Sequence, residues 1–289
     1  MHVFERISDF RLWRRQELAP IEYVASLGGL HAGHGALIEA GRSRGGRVVC
    51  SLFLNPRQFG PTEDLGRYPA SLEEDIAYCE REGVSAVFAP TPDELFPGGF
   101  ATIVRVDSYR GVLCDRARPR HFDAVCTIVA MLLQIVDPDR VYFGKKDYQQ
   151  MRFIERMVAD LHFMVQVVEV ETVREHDGLA MSTRNRYLSP RHRRVAASIF
   201  KGLRASRDMY QAGHTDPSTV LAAGRSLIER QPARPRVEYF EAVNRRTLMP
   251  VTAIDEETLI ATAVHVGGAR LIDNIEIAGP DRLAEPTGV

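Results

Sequence analysis

The stretch Glu22-Tyr23-Val24-Ala25-Ser26-Leu27-Gly28-Gly29-Leu30-His31-Ala32-Gly33-His34-Gly35 decides the fold class. Its first six residues read as a β run, its glycines as a tight turn, and the residues after Gly35 as a helix. The same alternation continues outward. Residues 47–54 (RVVCSLFL) form a second β run, 72–82 a helical pattern, and 86–89 (AVFA) a third β run. Then come the apolar run 122–136, the β run 140–144, a helix from Tyr148, and the run 164–170. Strands alternating with helices predict an α/β fold whose parallel sheet is covered on both faces. In such sheets ligands bind at the carboxyl ends of strands, where loops open into helix N-termini, so site residues belong there.

Around residues 174–189 the pattern changes to a loop, followed by helical stretches at 191–212 and 217–230 and β-like runs at 236–244 and 258–266. This predicts a first domain over 1–175 and a smaller α+β domain over 176–289, with a loose tail after Pro280. A chain of 289 residues, 45% apolar and 26% charged, is large enough for two such cores. Its formal charge of −1 gives no reason to expect nucleic acid or an anionic membrane as partner, so any anion must be captured locally. No run approaches the roughly 18 to 20 apolar residues of a membrane span, and the N-terminus mixes charge with apolar residues, which predicts a cytoplasmic protein. Cys50, Cys79, Cys114 and Cys126 lack metal-knuckle spacing and read as reduced thiols.

Three polar clusters sit where the fold would place a site. In Gly28-Gly29-Leu30-His31-Ala32-Gly33-His34 the glycines let the backbone approach an anion and the helix N-terminus offers N–H groups. Two imidazoles three apart can stabilise charge on a reacting phosphorus. Alone, the pair reads more readily as structural or metal-binding, and its position after the first β run shifts the reading toward function. Gly144-Lys145-Lys146-Asp147-Tyr148-Gln149-Gln150 offers an ammonium for a polyphosphate and a carboxylate for a ribose, or merely a solvated turn. Met181-Ser182-Thr183-Arg184-Asn185 reads either as a flexible loop closing over a triphosphate or as a helix-capping turn. A further segment, Asn55-Pro56-Arg57-Gln58, ends a buried strand with two amides.

In this order and spacing the clusters resemble the pantothenate synthetase (pantoate–β-alanine ligase) family, and the likeness covers residues 1–280. It extends to Glu63-Asp64-Leu65, Tyr68-Pro69, Arg118-Pro119, His121-Phe122, Asp177-Gly178-Leu179-Ala180 and Ala269-Arg270-Leu271-Ile272-Asp273-Asn274. The resemblance implies a Rossmann-like, HIGH-type nucleotide-binding domain, a C-terminal lid, a homodimer, and ATP with Mg2+. It implies adenylation of a small hydroxy acid followed by amide formation with an amine, pantoate and β-alanine being the default pair. Carried over, His31, His34, Lys146, Ser182 and Arg184 would be catalytic. Leu27, Gly28, Asn55, Gly144, Asp147 and Thr183 would bind nucleotide, and Gln58, Gln150, Val125 and Arg118 the acid. No protein metal site is implied.

Several positions depart from the family pattern. Ala25 and Leu27 stand for proline and methionine, Arg57 for methionine, Cys114 for glutamate, Ala124 for glycine and Lys145 for glutamate. Arg57 either adds an anion contact or points into solvent. Lys145 reverses a charge beside Lys146. These changes leave two other readings open: a paralogue using the same chemistry on another acid or amine, and nucleotidyl transfer onto a phosphate monoester.

Overall fold

The computed structural model describes residues 1–279, so the expected tail after Pro280 lies outside it. The chain forms two compact units. One comprises Met1–Ser108, Arg118–Lys145 and Gln150–Glu171, the other Tyr109–Ala117, Lys146–Gln149 and the chain from Thr172 onward.

The first unit holds β1 (His2–Phe4), β2 (Ile21–Ser26), β3 (Arg47–Leu52), β4 (Ala86–Phe88), β5 (Arg140–Gly144) and β6 (Gln166–Val170). They form one sheet in the order β1-β4-β3-β2-β5-β6, every pair parallel. The order runs one way from β2 through β3 and the other through β5, so the topological switch lies between β2 and β5. The apolar run 122–136 is resolved as a helix over His121–Val136, and its 16 residues are too many for a buried strand. The helix Ala32–Arg42 lays Leu37 and Ile38 onto Val24, Val48 and Cys50, and the helix Leu72–Arg81 adds Cys79 to the same core. Glu22, the second residue of β2, is fully buried. It is bonded by Arg140 at 2.6 Å and by the Tyr142 hydroxyl at 2.7 Å, both from the adjacent β5.

The second unit is α+β, as expected. Its antiparallel sheet runs β7 (Arg236–Asn244), β8 (Thr258–Val266), β9 (Ala269–Glu276). The expected helix 191–212 is interrupted at Ala197, giving Pro190–Ala196 and Ser198–Gln211, and a third helix spans Pro217–Glu229. The last two cross closely, since a Cβ on Gly224 would lie 2.3 Å from the Gly202 carbonyl. The strand β9 carries Arg270, Asp273 and Asn274.

Glu238 on β7 accepts from Arg270 at 2.8 Å and pairs with His265 at 2.6 Å. Burial alone would raise its carboxyl, but Arg270 and His265 hold it at about 2, below the ordinary 4.5. A carboxylate depressed in the folded state contributes stability above its unfolded value and loses it as pH falls through the folded one. Glu238→Gln should therefore flatten the stability loss between about pH 4.5 and about pH 2, as read by thermal melts across that window. Identical acid limbs for the two proteins would refute the assignment.

Candidate active site

Past β2 the chain turns through Gly28 and Gly29, with φ of +90° and +68°, conformations that glycine adopts without steric cost. A Cβ on Gly28 would lie 2.8 Å from Asp75 Oδ2 and 2.9 Å from the Ala70 Cβ, so no side chain fits there. The buried Asp75 carboxylate accepts the N–H groups of Gly29 and Leu30, each at 2.7 Å. The Gly28 N–H goes to Ser26 Oγ at 3.1 Å. Three successive loop N–H groups are thus spent inside the protein. The expectation that this backbone cradles an anion is corrected, because its donors point at Asp75 and Ser26.

The following helix N-terminus is capped as well. His31 Nδ1 accepts the Gly33 N–H at 3.0 Å, and His34 Nδ1 faces the His31 N–H at 3.3 Å. This is a capping box with imidazoles in both roles. An Nδ1 that accepts from the backbone carries no proton, so each neutral ring holds its proton on Nε2. His34 Nε2 lies 3.2 Å from Ser26 Oγ, and the two ring centroids are 4.2 Å apart. The partial positive charge of the helix end acts through two rings, not through bare N–H groups.

Beyond β3, Asn55 caps the turn Pro56–Gln58 and is buried. Its Oδ1 accepts the Arg57 N–H at 3.2 Å, and its Nδ2 donates to Gln58 Oε1 at 3.1 Å and to the Ala124 carbonyl at 3.5 Å. Arg118 grips Glu63 through two nitrogens at 2.6 and 2.5 Å, and also donates to the Gln58 carbonyl at 3.2 Å. His121 meets the same carbonyl at 2.9 Å. Burial would raise the Glu63 carboxyl, but Arg118 holds it below the ordinary range. Asn55 thus holds the Gln58 side chain and Arg118 its main chain. Val125 is buried one position after Ala124.

Gly144 ends β5 with open space where a Cβ would stand. Leu27, Gly28, His31, His34, Asn55, Gln58 and Gly144 thus lie along the carboxyl edge of three adjacent strands of one sheet. Gln150 stands apart from that edge in sequence, half-buried in the first turn of the helix Tyr148–Asp160.

In the second unit Lys146 Nζ stands 3.7 Å from Asp147 Oδ2. The Lys146 carbonyl accepts from Asn274 at 3.0 Å. Asn274 follows Asp273, which pairs with Arg174 at 2.7 and 2.9 Å in a buried bridge. Arg174 also donates to the Gly178 carbonyl at 3.1 Å and lies 3.7 Å over the Phe200 ring. From there the chain doubles back, with Glu175 N–H on the Leu179 carbonyl at 2.8 Å and Met181 N–H on that of Val173 at 2.9 Å. A tied hairpin over residues 173–181 thus leads into the Met181–Asn185 cluster. Ser182 does cap the turn Thr183–Tyr187, accepting the Arg184 N–H at 3.3 Å, and Thr183 is buried.

Three of the departures are absorbed locally. Arg57, though exposed, stacks its guanidinium on Phe96 at 4.4 Å and Phe100 at 4.7 Å, so the anion contact is not what occupies it. Lys145 is neutralised by Glu171 at 2.8 Å and Glu169 at 3.9 Å. Cys114 is buried, with Arg270 Nη2 3.5 Å from its sulfur and its N–H on Gln149 Oε1 at 2.9 Å.

A model of the pantoate–beta-alanine ligase family matches residues 2–276. The chain belongs to that family. The pantothenate synthetase of Aquifex aeolicus is 45% identical over 278 residues, 95% of this chain and 98% of that one. The crystal structure of pantothenate synthetase from Thermus thermophilus superposes with a TM-score of 0.91 at 41% identity, covering 96% of this chain and 99% of that one. Pantoate-beta-alanine ligase from Francisella tularensis, crystallised with beta-gamma ATP and beta-alanine, gives 0.81 at 27% identity, covering 97% and 99%. Membership fixes the class of enzyme as an AMP-forming ligase.

Several residues whose bonds hold these clusters were given no part in the sequence reading, namely Asp75, Ser26, Glu63 and the pair Arg174 and Asp273. Asp75 carried a signal: it shares the buried stripe of its helix with Cys79 one turn on, a position where an unpaired carboxylate is costly.

Proposed function

We propose that the protein joins pantoate to β-alanine with ATP, forming an acyl adenylate first. A pantoate carboxylate oxygen attacks the α-phosphorus and the bond to pyrophosphate breaks. The β-alanine amine then attacks the acyl carbon, loses a proton, and displaces AMP. The observation that carries the reading is the His31 and His34 capping box at the switch point of the sheet, in a chain of this family. Neutral imidazoles stabilise negative charge growing on phosphate oxygens by donating from Nε2 without giving up the proton, His34 exchanging Ser26 Oγ for a phosphate oxygen.

In this proposal Lys146, Ser182 and Arg184 hold the β- and γ-phosphates and Thr183 supports them. Asp147 bonds the ribose, while Leu27, Gly28 and Gly144 line the nucleotide. Gln58 and Gln150 bond the acid beside Val125 and Arg118, while Asn55 lies beside the nucleotide and holds the Gln58 amide, and Arg118 holds the Gln58 main-chain carbonyl. A pocket with fixed amides rejects acids lacking the matching hydroxyl, because buried polar groups would be left unpaired. Among the described residues no three His, Cys, Asp or Glu side chains converge on a common point. We assign Mg2+ to the triphosphate, with which it would arrive and whose charge it would screen. Among the described residues no helix is long and apolar enough to cross a membrane. A cytoplasmic setting and a homodimer, read by light scattering, complete the proposal.

Local absorption of Arg57, Lys145 and Cys114 favours the default substrates over a paralogous pair. Pantoate should stimulate exchange of labelled pyrophosphate into ATP without amine, and β-alanine should then yield the amide. Exchange with another acid but none with pantoate would remove this substrate assignment.

A further inference from the structure

We propose that Asp75 is a positioning residue for the adenylation step, holding the Gly28–Leu30 turn and through it the His31 and His34 pair. This rests on the function proposed above. Asp75 lies in the first turns of the helix Leu72–Arg81, 4% exposed, where an apolar side chain would satisfy packing. A buried carboxylate is costly unless its oxygens are bonded, and here each oxygen takes one peptide N–H at 2.7 Å. No neutral side chain of this size offers two acceptors. Asparagine would turn an N–H against an N–H.

The two bonds orient successive peptides. With trans geometry, N–H groups aimed at Asp75 force the Gly28 and Gly29 carbonyls to point the other way. The turn rests directly on the carboxylate, since a Cβ on Gly28 would be 2.8 Å from Oδ2. Leu30, whose N–H is held, immediately precedes His31, the cap of the helix, in extended backbone at φ −152° and ψ 177°. At the other end Ser26 Oγ meets both the Gly28 N–H and His34 Nε2. The segment from Ser26 to His34 is thus pinned at its start by Ser26, at its middle by Asp75 and at its end by the imidazole caps. Of these pins, the middle one lies outside the segment. Displacing a phosphate-facing donor by about 1 Å costs on the order of 100-fold in rate, so Asp75 sets the registration of the reacting centre.

The test is Asp75→Asn in the full chain, measuring pantoate-dependent exchange across ATP concentrations, thermal stability, and the imidazole 15N shifts of His31 and His34. Positioning predicts kcat lowered at least tenfold with the ATP KM changed less than threefold, and loss of the Nε2–H tautomer signature in the His34 ring. If the charge acted only on ATP by repulsion, the variant would bind ATP more tightly at unchanged kcat, which would overturn the proposal. A lower melting point with wild-type kcat and ring signals would do so equally. Should Asp75→Asn fail to fold, Gly28→Ala presses the turn off the same carboxylate and must show the same kcat loss; wild-type kcat there defeats the idea. If the wild-type protein shows no exchange with pantoate, the substrate reading fails instead, and the ring signals still judge Asp75.

Discussion

Asp273→Ala is expected to lower the unfolding free energy by about 3–5 kcal/mol, the usual cost of leaving one member of a buried ion pair without its partner. The Arg174 and Asp273 side chains are 6% and 2% exposed and meet through two bonds, so little solvent screens the loss. Urea melts at neutral pH would read the change; a midpoint within error of wild type would show that water or a neighbour replaces the carboxylate. The double variant Arg174→Met with Asp273→Leu should recover part of the stability, since paired apolar residues often match a buried bridge. Recovery should stay incomplete. Arg174 also serves the Gly178 and Asn274 carbonyls at 3.1 and 3.3 Å, and these would lose that donor. The same bridge holds the hairpin that leads directly into Ser182, Thr183 and Arg184, so exchange activity should fall in Asp273→Ala even at temperatures where the protein remains folded.

How much of this was legible in the sequence depends on the range over which each signal acts. Period-two and helical patterns reflect burial along one element, and they located β2 to β6 and the helices beside them correctly. The short edge strand β1 and the strand β9 carried no such independent signal, because their pairing is set by partners distant in sequence. The run 122–136 was ambiguous by period, and length resolved it. At the site, residue types were readable but bond directions were not. Gly28 and Gly29 announced a turn, yet whether their N–H groups face a ligand or Asp75 depends on a helix that begins only at Leu72. His31 and His34 were readable as a pair three apart, while their capping of the helix through Nδ1 is a matter of rotamer. Arg57 shows the same limit: neither solvent nor an anion describes a guanidinium lying on Phe96 and Phe100.

His34→Ala should cut pantoate-dependent pyrophosphate exchange by on the order of 100-fold or more, through loss of a donor aimed where charge develops in the transition state. The structure adds a second consequence, because removing the ring also removes the acceptor of the His31 N–H. Loss of a cap of this kind costs about 0.5–2 kcal/mol, which a domain of ordinary stability survives. Activity and stability can therefore be separated by substitution. His34→Asn places an amide oxygen near the former Nδ1 and should restore the cap without a group at Nε2, giving near wild-type melting but little exchange. His34→Gln reaches further, toward the Nε2 position, and should regain part of the rate. Lys146→Ala is expected to show a comparable rate loss with no change at the cap, since its ammonium pairs with Asp147 at 3.7 Å and takes no part in closing that helix. If His34→Asn were as active as wild type, the ring would serve only to close the helix, and the charge forming at phosphorus would have to be met by other groups.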